Sequence, residues 1–167
     1  MTLTRRKVLP LLAGAALVPA LAGGGAAAAA TAHHATINVH SQGSLGKILV
    51  DSSGRTLYLF GKDRGGRSAC SGACAQNWPP AEVSGKPTAG SDVKSSKLGT
   101  TTRSDGKRQV TYNGHPLYRF KGDTKAGQAN GEGLTAFGGT WDVVSPAGSR
   151  VTAQSSSAGS GTGSGGY

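Results

Sequence analysis

Gly54-Arg55-Thr56-Leu57-Tyr58-Leu59-Phe60-Gly61-Lys62-Asp63 returns sixty residues later as Gly114-His115-Pro116-Leu117-Tyr118-Arg119-Phe120-Lys121-Gly122-Asp123. Gly, Leu, Tyr, Phe and Asp recur at identical spacing. Each copy follows a β-prone stretch, Lys47 to Val50 and Gln109 to Tyr112, and each is followed by a tryptophan, Trp78 and Trp141. Self-similarity of this kind marks one supersecondary unit used twice. Every aromatic residue except Tyr167 lies between Tyr58 and Trp141, which places the hydrophobic core inside the duplicated region.

Each copy reads as strand. Successive side chains of a strand point to opposite faces, so Tyr58 and Phe60, like Tyr118 and Phe120, share one face. The leucines and Arg119 take the other. Asn113-Gly114 separates Gln109–Tyr112 from His115–Phe120 and predicts a tight hairpin, since both residue types tolerate positive φ. Ser104-Asp105-Gly106 predicts a second hairpin turn between Leu98–Arg103 and Lys107–Tyr112. Asp51-Ser52-Ser53-Gly54 predicts a longer one between Ile48–Val50 and Arg55–Phe60, and Thr140 to Ser145 a closing strand. No segment has a long helical period. The expected fold class is all-β and loop-rich: antiparallel sheets from two related hairpin repeats, arranged as a small sandwich or partly open barrel.

The flanks read differently. Arg5, Arg6 and Lys7 precede an apolar stretch from Val8 to Leu21 and then small residues from Ala22 to Ala32. That is the order of an export signal. It is short for a membrane span and interrupted by Pro10 and Pro19. The paired arginines fit the twin-arginine route, and a general secretion signal is the alternative. Residues 33–43 read as a flexible leader, and 44–150 as one duplicated domain with repeats at about 44–88 and 98–148. Residues 151–167, rich in Ser and Gly, read as a disordered tail. The expected product is secreted and extracytoplasmic, with no transmembrane anchor after cleavage.

The chain carries 18 Lys and Arg against 8 Asp and Glu, a net charge of +10. Three of those cations sit in the signal, so the remainder stays cationic. Inside a cell such a surplus would suggest nucleic acid. An exported protein meets wall polymers and anionic lipid headgroups first. The charges are scattered, with no basic helix, so the expected partners are cell-wall polymers or the anionic envelope surface, not nucleic acid, and the expected state is a monomer.

Tyr58-x4-Asp63 and Tyr118-x4-Asp123, with Cys70-Ser71-Gly72-Ala73-Cys74, Trp78-Pro79-Pro80, Gln109-Val110-Thr111-Tyr112-Asn113-Gly114 and Gly138-Gly139-Thr140-Trp141, resemble a known bacterial family. It is described as a secreted repeat of unknown function, predicted lipoproteins with a Tyr-x-aromatic-x-x-Asp motif. The resemblance covers nearly the whole domain. It implies an exported, envelope-associated protein and no settled activity. Lipid attachment needs a cysteine directly after the signal, and this sequence has none there, so a lipid anchor is not expected.

Individual motifs carry competing readings. An even number of cysteines in an oxidising compartment suggests a disulfide. Joining Cys70 to Cys74 needs a turn or single helical turn over Ala69–Ala75, because bridged Cα atoms lie about 4.4–6.8 Å apart. A redox pair or a soft-metal site of copper type is the alternative. The signature residues Tyr58, Phe60, Asp63, Tyr118, Phe120, Asp123, Trp78 and Trp141 read first as architecture, rings in the core and carboxylates capping the following turns. Two equivalent recognition sites, aromatic platforms beside carboxylates, are the functional alternative. The loop from Asp123 to Gly133 lacks the ligand spacing of a calcium loop. Thr31-Ala32-His33 would chelate copper(II) if the cut left Thr31 first; His40 falls in the leader, and His115 reads as a polar strand residue.

No nucleophile elbow, zinc-protease helix, P-loop or dinucleotide fingerprint is present. No catalytic residues, metal ligands or cofactors are assigned. The expected function is an exported, non-catalytic, envelope-associated binding or structural module. A redox or metal-handling protein using Cys70 and Cys74 is one alternative. A wall-polysaccharide hydrolase using Asp63 and Asp123 is the other.

Overall fold

The computed structural model describes residues 34–151. The signal over 1–32, the Thr31-Ala32-His33 chelate and the tail from residue 152 lie outside the described residues.

Strand β1 (Thr36–Gln42) pairs antiparallel with β2 (Gly46–Asp51), from Ile37↔Asp51 to Gln42↔Gly46. This corrects the flexible leader expected over 33–43. The alternation Ile37-x-Val39 is too short to stand out beside polar neighbours, yet Ile37 is 1 % exposed and Val39 packs on the same cluster. His40 is accordingly an exposed strand residue, not part of a leader. At the other end Val151, assigned to the tail, belongs to the fold. The Val151 N–H donates to the Val143 carbonyl and its side chain packs against the core.

The remaining elements are β3 (Tyr58–Phe60), the single helical turn α1 (Ala73–Asn77), β4 (Thr88–Ala89), β5 (Leu98–Thr102), β6 (Arg108–Tyr112), β7 (His115–Pro116), β8 (Leu134–Ala136) and β9 (Gly139–Val143). With β1 and β2 they form three small sheets, ordered β2-β1-β4, β3-β9-β8 and β5-β6-β7, with no closed barrel among the described residues. Pairing is antiparallel except between β1 and β4, where Thr36↔Thr88 and Ile37↔Ala89 run parallel. Asn113 and Gly114 turn the β6–β7 hairpin with φ of 51° and 79°, the positive pair that a two-residue loop requires.

The alternation of side chains sorts the core into two clusters. Leu57, Leu59 and Leu117 join Ile37, Leu49, Val110 and Tyr112 on one side. Tyr58, Phe60 and Tyr118 join Trp78, Trp141 and the two cysteines on the other. Arg119 extends from the leucine face, where its Nε donates to Asp51 Oδ2 at 2.6 Å.

The two repeats are closed by each other. Within each, the hairpin folds back through an equivalent bond: Leu57 N–H to the Leu49 carbonyl and Leu117 N–H to the Val110 carbonyl, both 3.0 Å. The segment ending the first repeat then leaves it. Ala81 donates to Leu117 and its carbonyl accepts from Val110. The segment ending the second repeat returns the exchange, Val144 donating to Leu57 and accepting from Leu49. β9 accordingly pairs with β3 of the first repeat, Phe60 opposite Trp141. Neither hairpin is completed by its own chain segment.

Candidate functional site at the repeat junction

Tyr58 and Tyr118 face each other where the repeats meet. Each backbone N–H donates to the other's carbonyl, at 2.9 and 3.1 Å. From this point the phenol groups cross over. Tyr58 donates its hydroxyl to Asp123 Oδ2 at 2.6 Å, and Tyr118 donates to Asp63 Oδ2 at 2.8 Å. Each signature tyrosine therefore serves the signature aspartate of the other repeat. The second oxygen of each carboxylate accepts a backbone N–H from the loop that follows, Ala69 for Asp63 and Asn130 for Asp123. The turn-capping role expected of the aspartates is present, with the cross-repeat bond added to it.

Burial of the junction is nearly complete. Tyr58 and Tyr118 are fully buried, Asp123 is 1 % exposed and Asp63 is half-buried. Loss of solvent, together with the carboxylate beside each ring, pushes both phenol groups far above the ordinary tyrosine range. They stay protonated and donate. Burial also raises the Asp63 carboxyl, opposed by the Ala69 N–H, the Tyr118 hydroxyl and the positive charge of Arg103.

The rings form a column. Phe60, Trp141, Trp78 and Phe120 stack in that order with centroid separations of 4.1, 3.9 and 4.2 Å. The two tryptophans are within 4° of parallel. Tyr58 meets Trp78 edge-on and Tyr118 meets Trp141 edge-on, at 5.3 and 5.1 Å; these edge-on contacts suit the aromatic quadrupole. Members of the two repeats alternate along the stack, so the column also joins them. Gly131 lies against it, where a Cβ would sit 2.7 Å from the Trp78 ring.

Cys70 and Cys74 form a disulfide with Cα atoms 5.3 Å apart, tying the bend before α1 to the first turn of that helix. Both are buried. Sequence reading missed what holds this loop. Arg103, on the far side of the repeat boundary, donates to the Cys70 carbonyl at 2.7 Å, to Ser68 Oγ at 2.8 Å and to Gln109 Oε1 at 2.9 Å. Ser68 Oγ lies in turn 2.8 Å from the Tyr118 hydroxyl. Arg103 sits at the end of a strand in an ordinary turn sequence, so only its burial marks it. Arg55 mirrors the arrangement, donating to the Asp123 carbonyl at 3.0 Å.

A cleft of about 600 Å³ opens beside this junction, lined by Asp51, Pro79, Pro80, Glu82, Arg103 and Arg119 among others. Its cations are already matched: Arg119 by Asp51, Arg103 by Asp105 at 3.5 Å, and Lys107 by Glu82 at 3.1 Å. No surplus charge remains to fix an ion. Among the described residues, no three His, Cys, Asp or Glu side chains converge as metal ligands. His115 is exposed on β7, lining a separate pocket with Asp63 and Arg64.

A family model described as a secreted repeat of unknown function matches residues 40–82 and again residues 99–145. The two matches fall on the two structural repeats. No curated protein and no solved structure matches the chain. No helix of the described residues is long and apolar enough to cross a membrane.

Proposed function

The chain belongs to the family described as a secreted repeat of unknown function, and we propose that its role is non-catalytic: a rigid module of the cell envelope that presents surface elements from a disulfide-stapled core. One observation carries the reading. The signature groups with chemistry to offer are consumed in joining the repeats, Tyr58 to Asp123 and Tyr118 to Asp63. A carboxylate bonded on both oxygens is held as an acceptor; a general acid or nucleophile needs a face open to substrate. The cysteines are likewise bonded to each other and buried, which favours a structural bridge over a redox pair or copper site. With both sulfurs so engaged, the module is released or loosely held at the envelope without a lipid anchor.

The test uses protein purified from its native compartment. Intact mass should correspond to the signal-free, oxidised, unlipidated chain. Incubation with wall glycans should release no more reducing ends than the Asp63→Asn, Asp123→Asn double variant releases. Turnover by the wild type that the double variant loses would overturn the reading in favour of a hydrolase.

A further inference from the structure

Two large apolar side chains among the described residues stand out in solvent, Leu134 at 40 % and Phe137 at 42 % exposure. They belong to one hairpin. β8 and β9 pair from Leu134↔Trp141 to Ala136↔Gly139, joined by the two-residue loop Phe137-Gly138. β8 is the edge strand of its sheet.

The loop contains an internal comparison. Phe137 and Gly138 have φ of 55° and 83°, and Asn113 and Gly114 turn the β6–β7 hairpin with φ of 51° and 79°. The geometry is the same, and at one site it is met by Asn-Gly, the favoured pair for it. At the other, a bulky aromatic occupies the left-handed region, where such a residue is an outlier. A phenylalanine in this conformation, 42 % exposed, is ill suited to the turn and is not among the buried core side chains. Strain of this kind is kept where the side chain is used.

The surroundings say what for. Lys62 lies across the tip, its Nζ within 3.5 Å of where a Gly138 Cβ would stand. The neighbouring Arg64 is exposed and donates to the Gly61 and Asp63 carbonyls. Nearby acids face elsewhere: Asp63 is taken by Tyr118 and Ala69, Glu132 accepts from the Val143 N–H, and Asp142 pairs with Arg150. An apolar tip with the Lys62 ammonium against it, on a chain that stays cationic without its three signal cations, complements an anionic lipid surface. Aromatic rings settle at the headgroup level there and basic side chains meet the headgroups.

We propose that the β8–β9 hairpin is a membrane-contact element that inserts Phe137 and Leu134 into the interface of an anionic bilayer, with Lys62 and Arg64 on its headgroups. This deepens the reading of the chain as an envelope module, and the glycan assay decides that reading independently.

The test is co-sedimentation of the mature protein with vesicles of mixed phosphatidylglycerol and phosphatidylcholine, against phosphatidylcholine alone. The wild type should partition onto the anionic vesicles and be released by salt. Phe137→Asn restores the relaxed turn, so its melting temperature should hold or rise while partitioning falls about tenfold or more. Lys62→Gln should weaken binding about fivefold. Equal partitioning by wild type and Phe137→Asn, or no preference for anionic vesicles, would overturn the proposal. So would a lower melting temperature in Phe137→Asn, which would place the ring in the fold's own packing. A dimer of wild type lost in Phe137→Asn would overturn it too, making the edge strand a protein contact.

Discussion

The two crossed tyrosine–aspartate bonds look equivalent and differ in what surrounds them. Asp123 is 1 % exposed, so removing the Tyr58 hydroxyl leaves a buried carboxylate without its shortest partner. Water can reach the half-buried Asp63 and replace the hydroxyl of Tyr118. An unsatisfied buried acceptor costs about 1–3 kcal/mol. Tyr58→Phe should therefore lower the urea midpoint clearly at unchanged slope, and Tyr118→Phe should lower it less. Equal effects would show that burial does not distinguish the two sites. The pair also sets a pH limit. Both phenol groups have folded values raised above the ordinary 10.0. Their contribution is therefore complete below that value and declines as pH rises past it, where the unfolded chain ionises first. Each tyrosine adds about 1.4 kcal/mol of lost stability per pH unit above that point. Denaturation at pH 10 to 12 should show this steep decline in the wild type and a shallower one in either Tyr→Phe variant.

At the scale of the element, the loop 63–78 has little of its own to hold it. Its helix is five residues long, well short of what persists alone. It is tied by the Cys70–Cys74 bridge, by Asp63 accepting from Ala69, and by Arg103 reaching in from the other repeat. So small a ring contributes about 2 kcal/mol in the chain-entropy model. The Cys70→Ser, Cys74→Ser variant should lose about that much. Its faster amide exchange should be confined to this loop, while β5 and β6 stay protected. Exchange that accelerated throughout the chain would make the bridge a global staple. The hairpins themselves were legible, because Asn-Gly and Asp-Gly announce their geometry locally and Leu-Tyr-x-Phe announces its two faces. β1 was not, since Ile37-x-Val39 offers two apolar positions and its burial depends on β2 and β4. Nor was the β8–β9 turn, where Phe137 occupies a position that local rules give to asparagine. The crossing of Tyr58 to Asp123 was hidden for another reason. Within either copy, Tyr-x4-Asp is satisfied on paper by its own partner, and only the exchange of closing segments decides otherwise.

That exchange governs the molecule as a whole. The segment around Ala81 completes the second hairpin, and β9 completes the first. The aromatic column alternates between repeats, Phe60, Trp141, Trp78, Phe120. A hairpin deprived of its foreign segment exposes an unpaired edge and half of each stack, and two or three short strands do not hold themselves in water. Fragments 34–92 and 93–151 should therefore each be unfolded as monomers and should assemble when mixed, at the cost of the lost covalent link. The face-to-face Trp78–Trp141 pair at 3.9 Å provides the signal. Their exciton couplet in circular dichroism should be absent from each fragment and restored in a one-to-one mixture. The near-symmetry of the repeats permits one further solution. A fragment at high concentration can exchange its closing segment with a second copy of itself, as domain-swapped chains do, and any structure it gains should depend on concentration in sedimentation. A cooperative melt from either fragment as a dilute monomer would mean that each repeat closes on itself. The tyrosine–aspartate bonds would then be incidental to what joins them.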